Sequence, residues 1–228
     1  MAILAALLAA GAAPAGGARA ADSTFILPQA ELYYQIDDRR RAYFAAGYED
    51  ILHEDSHSLN LSANLDFSLK PILRRDLGAD EWQRARYLWA RIGYEHLESR
   101  ESGERVSGED RGVLALNARA PFEDGYGLEA RLRADLRWIG ADYSTRYRVR
   151  VEGNRGMQLS GYAILPYARA EWFYDTRYDA WTRTDLLLGT EVAVGPHFRY
   201  ELNVARQDTT RPARSTGNGI RLLAKWYY

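Results

Sequence analysis

Between Leu59 and Leu69 apolar side chains recur at every second position, with Ser58, Asn60, Ser62, Asn64, Asp66 and Ser68 between them. A helix would gather residues three and four apart, so period two sustained over this length is the mark of a strand. The pattern returns with a harsher contrast at Leu128, Ala130, Leu132, Ala134, Leu136 and Trp138, where the alternate residues are Glu129, Arg131, Arg133, Asp135 and Arg137. Tyr147, Val149 and Val151 alternate with Arg146, Arg148, Arg150 and Glu152, and a Thr/Leu/Val set from Thr182 to Val194 alternates with Arg183, Asp185 and Glu191. The chain ends the same way, with Ile220, Leu222, Ala224, Trp226 and Tyr228 against Arg221 and Lys225. Strands of soluble domains run to about 5–6 residues, whereas a tilted membrane strand needs about 9–11. Runs this long, apolar on one face and charged on the other, point to a barrel closed in lipid rather than a sandwich.

The beginning of the chain bears on the compartment. Ala2 to Ala13 form a short apolar run, followed by Pro14 and the small-x-small triplet Ala18-Arg19-Ala20. That reads as an export signal over residues 1–20, leaving one domain over 21–228. No later segment approaches the roughly 18 apolar residues of a spanning helix, and the mean hydropathy of -0.44 excludes a helical membrane bundle. With no Cys there is neither a disulfide framework nor a lipid-anchor cysteine. Lys+Arg 30 against Asp+Glu 31 gives a net charge of -1, without the basic excess that would attract nucleic acid.

Strands are expected near 31–37, 42–51, 58–70, 85–97, 111–121, 126–139, 144–153, 162–174, 181–194, 197–207 and 218–228. Single-chain bacterial barrels have even strand numbers with both ends periplasmic, so twelve antiparallel strands are expected, with ten the alternative. The extra strand would fall in 22–30 or 70–84. Short turns at Asp37–Arg40, Glu123–Gly125 and Gly195–His197 belong to the periplasmic end, and longer polar loops at 98–110, 175–180 and 207–217 to the outer end. Trp138, Tyr143, Trp172, Tyr174, Tyr178, Trp181, Trp226 and Tyr228 lie near segment ends, where an interfacial girdle takes amphipathic rings.

With the apolar set toward lipid, the alternate set lines the lumen. The expected lining is Glu129, Arg131, Arg133, Asp135, Arg137, Arg146, Arg148, Arg150, Glu152, Arg169, Glu171, Arg183, Asp185, Arg199 and Glu201, joined by Glu191 and Arg221. In a narrow barrel such side chains meet across the interior, where each guanidinium fork can bridge two carboxylates. Two functions fit: a rigid filled cylinder, or a narrow passage favouring small anions. The alternative of another class is a lipid-modifying enzyme with a rim site at Ser56-His57-Ser58, near His53, Glu54 and Asp55. Loops carry Ser, His and Asp for solubility, so no catalytic residue is assigned and the chain is not read as an enzyme. His53 and His57 have no helical spacing to share a metal, and Gly217-Asn218-Gly219 is turn chemistry. No metal and no cofactor is expected.

Tyr147-Arg148-Val149-Arg150-Val151-Glu152, the run from Pro166 to Asp175, Trp181-Thr182-Arg183 and Gly189 resemble a bacterial outer-membrane barrel family, catalogued as domain of unknown function twenty-four ninety. The resemblance covers most of residues 21–228 and is sharpest in the C-terminal half. Where that family often has Arg-Asn-Arg before the Glu, this chain has Arg146-Tyr147-Arg148. What the resemblance implies is an outer-membrane barrel without assigned catalytic residues. The partners expected are outer-membrane lipid, the barrel-assembly machinery through the strand ending at Tyr228, and small anionic solutes.

Overall fold

A computed structural model describes residues 21–52, 56–70, 88–101 and 104–228. The strands are β1 (Ala21–Gln35), β2 (Arg40–Leu52), β3 (Ser56–Lys70), β4 (Leu88–Glu101), β5 (Glu104–Pro121) and β6 (Tyr126–Ile139). They continue with β7 (Asp142–Arg155), the short β8 (Met157–Leu159), β9 (Tyr162–Asp175), β10 (Ala180–Val194), β11 (Phe198–Thr209) and β12 (Ser215–Tyr227). Apart from β8 every strand has 12 residues or more, the length that the period-two runs require.

Successive strands pair antiparallel, with β7 passing to β9, and the sheet closes where β1 lies beside β12. The result is an all-β barrel of eleven strands, with β8 as a twelfth that pairs only with the start of β9. Two expectations need correction. Segment 22–30 holds no separate strand, because it is the first part of β1. The closing pair is parallel, from Ala21 opposite Ser215 to Tyr33 opposite Tyr227, so the barrel is not antiparallel throughout. An odd ring allows nothing else: eleven alternating strands leave the first and last pointing the same way. The connection at 71–84 and the export signal expected at 1–20 lie outside the described residues.

The expected long outer loops are shorter than their polarity implied. β4 and β5 run on to Glu101 and Glu104, and β11 and β12 leave only 210–214 between them. Charged residues there continue the ladder, because a strand that clears the membrane no longer needs an apolar face. At the opposite end the tight turns form as expected. In the first, Asp37 accepts hydrogen bonds from the backbone N–H of Arg39 (2.9 Å) and Arg40 (2.7 Å) and from the Arg40 side chain (2.6 Å). The Arg40 side chain, with those amides, holds the Asp37 carboxyl below its usual range. Another carries Asp124 and Gly125 at φ 58 and 76, the left-handed region that Gly enters freely and Asp tolerates.

The strand faces separate by chemistry. Leu61 (45%), Leu132 (57%) and Leu222 (48%) are exposed on the outside, while Asp66 and Asp135 (0%) are sealed within. Aromatic rings gather at both rims of the outer surface: Trp138 beside Tyr143 and Tyr174 beside Trp181 at one, Phe198 beside Tyr200 and Trp226 at the other. An exterior of this kind is stable only in hydrocarbon, flanked by interfaces that take the rings. Phe25, Tyr167, Leu187 and Ala205 form a small apolar cluster inside, so the inward set is not purely charged. One register assignment also changes. A bulge between Trp181 and Arg183 turns Thr182 inward, 5% exposed, with its hydroxyl donating to the Phe173 carbonyl (3.4 Å). Thr182 therefore leaves the lipid-facing set.

Candidate functional site: the charged interior and its mouth

Sheet register fixes which charges meet. Arg131, Arg133 and Arg137 alternate along β6, and β7 sets Arg150, Arg148 and Ser144 beside them. On β9, Glu171 stands opposite Arg150 and Asp175 opposite Arg146. Period two turns all of these to one face, and closure makes that face the interior.

Toward the end that carries the 140–141 turn, Arg137 holds Glu109 and Asp175, Arg146 reaches Asp175 (3.3 Å), and Arg111 holds Glu109 (2.6 Å). At mid-height Arg133 bridges Glu95 and Asp135, both at 2.5 Å. Arg148 lies 3.5 Å from Asp135 and 2.8 Å from Glu171, which also receives Arg131 (2.7 Å) and Arg150 (2.9 Å). Toward the C-terminal end Arg169 pairs with Glu152, Arg119 with Glu129 and Arg199 with Glu191, each at 2.7 Å. Lys225 links Glu191 and Glu201, and the Tyr167 hydroxyl donates to Glu201. Arg183 grips Asp185 with two bonds of 2.6 and 2.7 Å.

All fifteen residues expected on the lumen are thus inside and in contact with opposite charge. Burial of such pairs costs several kcal/mol per ion, and only multiple bonds recover it. That is why guanidinium groups, with five donors each, dominate the cationic side.

The N-terminal half supplies partners that the sequence reading missed. Asp66 takes Arg41 (2.6 Å) and Arg91 (2.7 Å), while Arg91 and Arg41 lie over the rings of Tyr43 and Tyr33. Glu95 completes the middle layer, and Glu109 and Arg111 the layer nearer the 140–141 turn. Asp66 was visible on a polar phase, but the strands holding Arg41, Arg91 and Arg111 lack an unbroken ladder to draw attention to them.

At the C-terminal end the network opens into a cavity of about 570 Å3, lined by Trp89, Asn117, Arg131, Arg150, Arg169 and Tyr167 among others. The structure does not bring His57 onto one face with Ser56 and Ser58. Alternation along β3 sends His57 outward, 5.6 Å from the Tyr48 ring, and Ser56 and Ser58 to the other face. His53, Glu54 and Asp55 lie outside the described residues. Among the described residues no group of three or more His, Asp or Glu is placed to hold a metal ion.

The fold and its faces define a transmembrane type of β-barrel, closed around a charged interior. No protein-family model matches the chain, and no curated protein matches it. Two solved structures align with most of it. The beta domain of the Bordetella autotransporter BrkA is 14% identical with a TM-score of 0.48, covering 80% of this chain and 82% of that one. LpxR from Salmonella typhimurium is 8% identical with a TM-score of 0.48, covering 82% and 83% respectively. At these identities neither protein's role carries over to this chain.

Proposed function

We propose that the chain is an outer-membrane barrel with a passive role, its narrow interior cross-linked by Arg/carboxylate pairs and favouring small anions. The observation that carries this reading is Glu171, a single carboxylate shared by Arg131, Arg148 and Arg150. Surplus guanidinium at mid-height repels cations and attracts anions. The apolar exterior between aromatic rims supports the membrane, and the strand ending at Tyr228 suits recognition by the assembly machinery. Membership of the uncharacterised barrel family that the Tyr147–Glu152 motif resembles is part of the same proposal.

Planar-bilayer recording of the purified full chain tests it. The expected result is a small anion-selective conductance that falls when Arg133 and Arg148 are replaced by Gln. Cation selectivity would overturn the anion preference, and silence from a folded barrel would reduce the role to that of a structural cylinder. Lipid hydrolysis lost in His57→Ala would overturn the passive reading altogether.

A further inference from the structure

We propose that the outer wall over β4, β5 and β6 holds one phospholipid with a primary ammonium headgroup, its nitrogen at His96 and an acyl chain in the hollow beneath. The inference rests on the membrane reading above and concerns the wall, not the lumen.

The polar end is set by register. Leu61, His96, Asp110, Trp138 and Tyr143 form one row across β3 to β7. Leu61, Trp138 and Tyr143 are exposed on the outside, so His96 and Asp110 stand at the height of the aromatic rim and face the membrane interface. His96 Nδ1 lies 2.7 Å from Asp110, which also accepts from the Tyr94 hydroxyl. A carboxylate only accepts, so Nδ1 carries the proton, and in the neutral ring Nε2 is an acceptor. Nε2 has no partner among the described residues and is not one of the sealed polar atoms, the side chain being 30% exposed. An acceptor open at the interface takes a donor. The carboxylate behind the ring strengthens it toward a charged N–H, which is what a primary ammonium headgroup brings.

The apolar end lies on the same strands. Ala90 and Ile92 of β4, Leu114 and Leu116 of β5, and Leu132 and Ala134 of β6 line a hollow of about 570 Å3 in the outer surface. Along β4 the stretch from His96 to Ile92 and Ala90 covers about 13–20 Å, at a rise of about 3.3 Å per residue. A strand tilt of about 40° makes that about 10–15 Å of depth, within half of a hydrocarbon core about 30 Å thick. Gly112 sits between Asp110 and Leu114 and leaves the way down uncovered: a Cβ there would meet only the Leu136 and Trp138 side chains, at 3.6 and 3.8 Å. An acceptor at the interface and an apolar hollow one leaflet's depth below it are both reached by a single amphiphile, whereas a soluble amine would use the polar end alone.

Native mass spectrometry of the refolded full-length barrel, released from bilayers of equimolar dioleoyl phosphatidylethanolamine and dioleoyl phosphatidylcholine, tests the site. The two lipids share their chains and net charge, but the choline headgroup has no N–H to donate. Retention of the ethanolamine lipid should exceed that of the choline lipid about tenfold, the ratio for one hydrogen bond to a charged group. His96→Asn keeps an N–H toward Asp110 and removes Nε2, so the preference should vanish while both lipids are still held. Ala134→Phe fills the hollow with an apolar side chain at a lipid-facing position and should weaken retention of both. Leu222→Phe, on β12 across the barrel, should behave as the parent does. Equal retention of the two lipids by the inserted parent, a preference unchanged in His96→Asn, or retention unchanged in Ala134→Phe overturns the site and leaves the membrane reading standing. A folded barrel that does not enter bilayers at all overturns both.

Discussion

Asp66 shows at the scale of one residue what the interior demands of its side chains. It is completely buried, it accepts from Arg41 and Arg91 on the strands either side, and those arginines lie over Tyr33 and Tyr43. Its charge therefore compensates two guanidinium groups. Asp66→Asn keeps the shape and removes the charge, leaving both cations to share neutral acceptors. The loss expected is about 3–5 kcal/mol, the cost of breaking a buried pair. Urea unfolding of the refolded variant in detergent measures it, and a midpoint equal to that of the parent would show that the arginines find other partners. Gly189 is constrained by space instead: a Cβ there would lie 2.5 Å from Asn203 Cβ and 2.7 Å from the Tyr167 hydroxyl. Its place among the motif residues thus has a physical reason in the close approach of β9 and β11.

At the scale of the element, β6 was legible in the sequence almost completely. Leu128 to Trp138 names the outer face and Glu129 to Arg137 the inner one, and the strand runs from Tyr126 to Ile139 as expected. β10 was less so, because a bulge adds a residue without changing composition and shifts the phase only at Thr182. β1 was half seen. Pro28 and a mixed run from Ala21 to Ala30 hide the alternation, and only pairing along both edges, with β12 and β2, reveals a strand there. The facing of β6 makes a sharp prediction. Leu132→Arg places a cation in the hydrocarbon at about 2–4 kcal/mol, whereas Ser62→Arg, on the inner face of β3, adds a charge to a polar interior. Heat-modifiable migration after refolding into liposomes should be lost in the first and retained in the second. Equal behaviour would mean that the faces are assigned wrongly.

For the whole molecule, strand pattern gave the class of fold while the closure stayed hidden, since parity depends on elements too short or too mixed to read. Eleven closing strands make β1 parallel to β12 and set the start of β1 at the end opposite the C-terminus. The expectation of both chain ends on one side therefore gives way. If Tyr228 is periplasmic, as recognition by assembly machinery requires, then Ser23 and the 140–141 turn face outward and the 195–197 turn faces the periplasm. The parent has no cysteine, so single cysteines report on this without background. In intact cells a membrane-impermeant maleimide should label Ser23→Cys and Ala141→Cys but not Pro196→Cys, and all three after the outer membrane is permeabilised. Labelling of Pro196→Cys in intact cells with Ala141→Cys protected would invert the barrel and turn the mouth cavity toward the medium. Labelling of Ala141→Cys with Ser23→Cys protected until permeabilisation would separate β1 from the parallel seam, because residues paired along one edge cannot enter it from opposite sides.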